Sequence, residues 1–203
     1  MGILTKLSFK DQTFKLREDA ILDATTRILS TKGFDLMTMD DVAMEVGISK
    51  PSLYKHFKSK EKLAGEVMIR LLDATLEKLE SLSDDLTAGE KLGALLEWAL
   101  RVRLNDGLPF LPATSAHVRE MLTHNLRYVA RVAKFHYKVK SLVRQAKESG
   151  WFNKMLPDDV IAFSFYARTC DPAVDYLKLY SGMSEDDIVR HMRSVWFDGI
   201  RAR

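Results

Sequence analysis

SKPSLYKHFKSKEKL, residues 49 to 63, threads five lysines and one histidine through Leu53, Tyr54, Phe57 and Leu63, with a single acid, Glu61. A solvated helix face explains the lysines but not the aromatics. A buried helix explains the aromatics but not the lysines. Only a short element with one side on a core and the other side on something anionic satisfies both.

The chain around it is ordinary in bulk. It has 203 residues, 46% hydrophobic and 29% charged, which is enough to bury a real core. A net charge of +3 means that an anionic partner must be met by a local patch, and residues 50 to 62 hold five lysines against one glutamate. The single Cys170 forms no internal disulfide or multi-cysteine zinc site, and it suits a reducing cytoplasm. The start, MGILTKLSFKDQ, lacks the apolar core and cleavage site of a secretory signal, and the uncharged run 107 to 118 is too short to span a bilayer. These features predict a cytoplasmic protein with no membrane partner.

Helical periodicity dominates and alternating, strand-like segments are absent. Ile21, Ala24, Ile28 and Leu29 mark a first helix over 15 to 32 that ends at Gly33. Thr38 with Asp41 opens a short second helix containing Val42, Ala43 and Val46, which Gly47 breaks. A third short helix starts near residue 50, and Ser59 caps a long fourth from Lys60 to about Ser81. Thr87 with Glu90 opens a helix through Leu92, Leu96 and Leu100, and DGLPFLP (106 to 112) reads as a loop. Further helices are predicted over 123 to 148, from Asp158 with a break at Pro172, and from Ser184 onward. The expectation is an all-α protein of about nine helices.

Short helix, glycine turn, short helix is the helix-turn-helix arrangement, whose second helix enters the DNA major groove. The stretch GFDLMTMDDVAMEVGISKPSLYKHFKSKEKL, residues 33 to 63, resembles the DNA-binding signature of TetR-family transcriptional regulators. The Gly33-Phe34 pair, the Thr38 cap, the VA of the second helix, the G-I-S turn, L-Y-x-H-F and S-K-E-x-L carry the likeness. Val42 and Glu45-Val46 depart mildly from the usual residues. The resemblance implies a three-helix DNA-binding head over 1 to 62, with a flexible basic arm over 1 to 12, and a ligand-binding and dimerisation body over 63 to 203. It also implies a DNA-contacting set of Thr38, Ser49, Lys50, Pro51, Ser52, Tyr54, Lys55, His56 and Lys60. Within that set, Tyr54 and Lys60 hold phosphate and residues 50 to 55 read bases.

In the body, the expected lining of a ligand pocket is Trp98, His117, His136, Phe163, Tyr166 and Cys170, the bulky or polar residues within its apolar arcs. The expected dimer seam combines the stripe Ile188, Met192, Val195 and Gly199 with the helix around Phe165 and Tyr176. Arg127, Arg131, Lys134 and Lys138, spaced along one helix face, read as solvated surface. No catalytic, metal-binding or cofactor motif is present: HExxH, GxSxG, CxxC, GxGxxG and Walker-A patterns are all missing. The sequence thus predicts a homodimeric repressor that binds a palindromic operator in double-stranded DNA and is released by a small-molecule effector. An activator, or a regulator controlled by a protein partner, shares the same head. A helical enzyme with an unlisted site stands further off.

Overall fold

A computed structural model describes residues 8 to 105, 107 to 108 and 116 to 201, without the side chains of residues 116 and 117. Among them the helices are α1 (Phe9–Leu36), α2 (Met39–Val46), α3 (Lys50–His56), α4 (Lys60–Glu80), α5 (Ala88–Leu104), α6 (Ala116–Thr123), α7 (Leu126–Glu148), α8 (Asp158–Thr169), α9 (Ala173–Tyr180) and α10 (Glu185–Ile200). The described residues hold no strand, only an isolated bridge between Phe152 and Arg201. The protein is all-α. The count exceeds the expected nine by α6, which sequence reading leaves out. No helix is long and apolar enough to cross a membrane among the described residues.

Contacts divide the chain after Val67, inside α4, where the sequence reading sets the boundary at 62/63. In the first unit, α1 already starts at Phe9, capped by Ser8, so residues 9 to 12 of the expected flexible arm are helical. Gly33 (φ 74°) bends the chain out of the helix, and Phe34 and Met37 beyond the bend are buried. The Thr38–Asp41 capping box is complete: Asp41 N–H donates to the Thr38 hydroxyl at 3.1 Å, and Thr38 N–H donates to the Asp41 carboxylate at 2.9 Å. Hydrogen bonds from Lys32 and from Thr38 hold the Asp41 carboxyl down to about 2.

Gly47 is where the fold needs a glycine. At φ 73° and ψ 33° it occupies the left-handed region, Ile48 N–H donates to the Ala43 carbonyl, and Gly47 N–H donates to that of Met44. That pair of bonds ends α2 and turns the chain into α3. Ala43 and Val42 on α2 and Leu53 on α3 are buried, and Phe57 closes the far end at 6% exposure.

The second unit is organised around α5, which contacts α7, α8, α9 and α10. Thr87 and Glu90 complete its capping box, and Leu92, Leu95, Leu96 and Leu100 are all buried. Full burial of each such side chain stabilises by roughly 1.5–3 kcal/mol. Trp151 lies so close to α5 that a Cβ on Gly89 would sit 2.5 Å from its ring. Phe152, Phe165 and Trp196 join edge to face, and the Trp196 indole N–H donates to the Ser164 hydroxyl at 3.1 Å. Pro172 separates α8 from α9. At α10 the box is half made: Ser184 accepts from Asp187 N–H and donates its hydroxyl to the Asp187 carboxylate. The basic stripe of α7 is paired with α4, through Arg131–Asp73 at 2.6 Å, Lys134–Glu80 at 3.1 Å and Lys138–Glu80 at 3.3 Å.

Three of the six residues of the expected dimer seam lie inside the chain's own core. Phe165 and Ile188 are 0% exposed and Met192 6%, all within the protomer's own core, whereas Val195 is 62% and Tyr176 64% exposed, and Gly199 is exposed too. The stripe 188, 192, 195, 199 follows heptad spacing, but the helix buries Ile188, Met192, Trp196 and Ile200 at successive steps of four. Trp196 and Ile200 carry far more apolar surface than Val195 and Gly199, so the hydrophobic effect turns the helix toward them.

Candidate nucleic-acid interface and ligand cavity

Helix α3 offers the sided surface that the opening stretch requires. Ser49 caps it, accepting from Ser52 N–H at 3.4 Å, and Pro51 sits in the first turn, where its missing N–H costs nothing. Leu53 and Phe57 face inward, while Ser49, Lys50, Pro51, Tyr54 and Lys55 are exposed and Ser52 is half-buried. The Lys50 ammonium lies 2.8 Å from the Asp40 carboxylate, whose hydrogen bond pushes the lysine pKa up. Both partners are more than half exposed, so this pair is worth little and a phosphate can compete for it. Lys60 lies across the bend at Gly33, its ammonium 4.4 Å from the Phe34 ring centroid and donating to the Asp35 carbonyl at 3.2 Å. Thr38 is exposed, with its hydroxyl engaged in the α2 cap.

His56 departs from the rest of the expected set. Its ring stacks on Phe14 of α1 at 4.0 Å, and its Nδ1 is buried with no hydrogen-bond partner. Burial lowers its pKa below the ordinary 6.5, with Glu18 opposing and Arg17 assisting. Because the folded value is the lower one, the neutral ring's contribution is complete above the unfolded pKa and is lost as pH falls through it. His56→Phe, which keeps the stacking, is therefore expected to lose less thermal stability than the wild type from about pH 7.5 to about pH 5.5. Equal losses in the two proteins would remove His56 as the cause.

The second unit contains a cavity of about 610 Å³, a size usual for small-molecule sites. Its walls come from α4 (Met68, Leu72), α7 (Tyr128, Val132, Phe135, His136) and α8 (Phe163, Tyr166, Ala167), with Cys170 at the end of α8. It is open where Val129, Val132 and Phe163 are exposed. Burial pushes the Tyr128 and Tyr166 phenols and the Cys170 thiol up, so all three stay neutral. Tyr166 hydroxyl and His136 Nδ1 are 3.0 Å apart, and His136 Nε2 lies 3.6 Å from Asp159, which is itself 2.7 Å from Lys140. Of the expected lining, His136, Phe163, Tyr166 and Cys170 meet at this cavity. Trp98 does not: it packs against the core cluster instead. The His117 side chain lies outside the described residues. Sequence reading missed Met68, Leu72 and Tyr128, because periodicity marks a helix's apolar face but not which helix it meets. No group of three metal-ligating side chains occurs among the described residues.

Residues 21 to 67 match the profile of the bacterial regulatory proteins of the tetR family. That span is a TetR-type DNA-binding segment. The matched span covers the whole α2–turn–α3 unit and the first turns of α4. Over 80 residues the TetR-type segment is 35% identical to the HTH-type transcriptional repressor KstR2 of Mycolicibacterium smegmatis, spanning 39% of each chain. Over 90 residues it is 30% identical to the uncharacterized HTH-type transcriptional regulator YerO of Bacillus subtilis, spanning 44% of this chain and 31% of that one. The chain thus spans under half the length of these relatives. The solved structure of AibR in complex with isovaleryl coenzyme A and operator DNA has a TM-score of 0.65 at 19% identity, covering 89% of this chain and 98% of that one. The likeness in fold therefore extends through the body, where sequence likeness fades.

Proposed function

We propose that the protein is a dimeric repressor that binds a palindromic operator through α3 and leaves it when a small molecule fills the cavity of the second unit. The observation that carries this reading is the sided α3, which presents Ser49, Lys50, Pro51, Tyr54 and Lys55 outward from a TetR-type turn. Tyr54 and Lys60 then hold phosphate while residues 50 to 55 meet base edges. The repressor KstR2 and the operator-bound AibR lend support as relatives in sequence and in fold.

Helix α4 gives the effector its lever. It begins at Lys60, beside the DNA-contacting set, and further along supplies Met68 and Leu72 to the cavity wall. A molecule that fits one setting of α4 better than another shifts the population toward it. A coupling of roughly 1–3 kcal/mol is typical of such linkage, and it is reciprocal. The effector must therefore bind DNA-free protein more tightly than the operator complex, by the factor with which it weakens DNA binding. Equal affinity for the two forms, measured by calorimetry, would refute the induction mechanism.

The direct test is a gel shift of DNA from upstream of the protein's own coding sequence, repeated over a range of salt. Binding that ignores salt and sequence alike would end the proposal. In the same assay Lys60→Ala is expected to weaken binding to all sequences equally and to lower the salt slope by about one. A changed sequence preference with an unchanged slope would mean that Lys60 acts only by bracing the Gly33 bend.

A further inference from the structure

Resting on the reading of the cavity as the effector site, we infer that its ligand is an uncharged, mostly apolar molecule bearing a hydroxyl or carbonyl oxygen that bonds Tyr166. The argument starts from what the wall lacks. Among the described residues no lysine, arginine, aspartate or glutamate lines the cavity. A carboxylate or an ammonium placed there would give up its hydration without meeting a permanently charged partner, a cost that weighs against apolar contact. The ionic groups behind the wall are paired: Asp159 beside His136 with Lys140 at 2.7 Å, and Arg103 near Cys170 with Asp175. Asp159 does not serve a cation, because that lysine neutralises it.

The wall's other property is where its polarity lies. Tyr166 is held by His136 at 3.0 Å beside Phe135, Phe163, Leu72 and Val132, with Tyr128 and Cys170 as the other polar side chains of the wall. The hydroxyl is thereby oriented before any ligand arrives. The imidazole has one donor and one acceptor nitrogen, so the pair can offer the ligand either a proton or a lone pair by exchanging roles. An alcohol and a ketone are both accommodated. A hydrocarbon with no polar atom forgoes that additional bond and is expected to bind less tightly. Selectivity thus comes from neutrality first and from a single oxygen second.

The test uses DNA-free full-length protein and chain-matched probes: dodecanol, dodecanoate, dodecyltrimethylammonium and dodecanoyl-coenzyme A, each titrated by calorimetry. Dodecanol is expected to bind at least tenfold more tightly than either ionic probe, tenfold corresponding to about 1.4 kcal/mol. Tyr166→Phe should weaken dodecanol by roughly 3- to 10-fold, the range of one net hydrogen bond. Ala133 of α7 also lines the cavity, and Ala133→Trp, placing an indole there, should abolish binding while the unfolding transition stays cooperative. Ionic probes binding as tightly as dodecanol, no dodecanol binding, or dodecanol binding that survives Ala133→Trp would each overturn the inference. So would dodecanol binding that disappears as the protein dimerises, since a second copy would then own the cavity. Dodecanol that binds as expected but leaves the operator complex intact would instead defeat the induction mechanism and leave the ligand class standing.

Discussion

Met192→Arg is expected to unfold the second unit rather than to split a dimer. Met192 is 6% exposed and sits in the core cluster with Ile188 and Trp196, one turn before and after it on α10. An arginine there must either bury an unpaired guanidinium or drag α10 off α5. Leaving a buried charge uncompensated costs roughly 3–5 kcal/mol, and whole domains are stable by only about 5–15 kcal/mol. The thermal midpoint should fall by roughly 6–20 °C, at 2–4 °C per kcal/mol for a chain of this size. Met192→Ala, with no charge, should cost about 2–5 kcal/mol through the cavity it leaves. A Met192→Arg protein that melts like the wild type but sediments as a monomer would restore Met192 to the interface.

Val195→Arg should do the opposite. Val195 is 62% exposed, three residues from Met192 but on the outer side of α10. Val160 on α8 and Tyr176 on α9 are likewise exposed apolar side chains. In the proposed dimer a two-fold interface over this face presents the same patch from both copies, so an arginine at Val195 meets its counterpart on the other copy. The variant should keep the wild-type melting profile and sediment as a monomer. Operator affinity should then fall by about 10²–10⁴-fold, because the second half-site is no longer held at high effective concentration. Half-sites about 34 Å apart are the spacing that a dimer of this kind reads. Unchanged operator binding by a folded, monomeric Val195→Arg would show that one head suffices.

The two substitutions lie three residues apart on one helix, and that spacing marks what sequence periodicity could and could not give. Heptad spacing and the step of four share Ile188 and Met192 and then diverge, so the pattern alone left two faces open. The same ambiguity explains the cavity. His136, Phe163, Tyr166 and Cys170 stand out by residue type within apolar arcs, yet nothing local says that α4 closes the other wall with Met68 and Leu72. Helix α6 escaped because eight residues are too few for helical periodicity to stand out.

What the sequence by itself determined is local: the Thr38, Ser49, Ser59 and Thr87 caps, the left-handed turn at Gly47, the break at Pro172 and the sided charge of α3. Each is a hydrogen bond, a steric limit or a charge count that acts within a few residues, so neighbouring letters suffice to reveal it. Only the tertiary structure decided which faces meet: that α7's basic stripe pairs with Asp73 and Glu80, that His56 turns onto Phe14, and that α10 buries Trp196 instead of Val195. Those choices depend on total apolar area removed from water across elements far apart in the chain, a quantity that no short window contains.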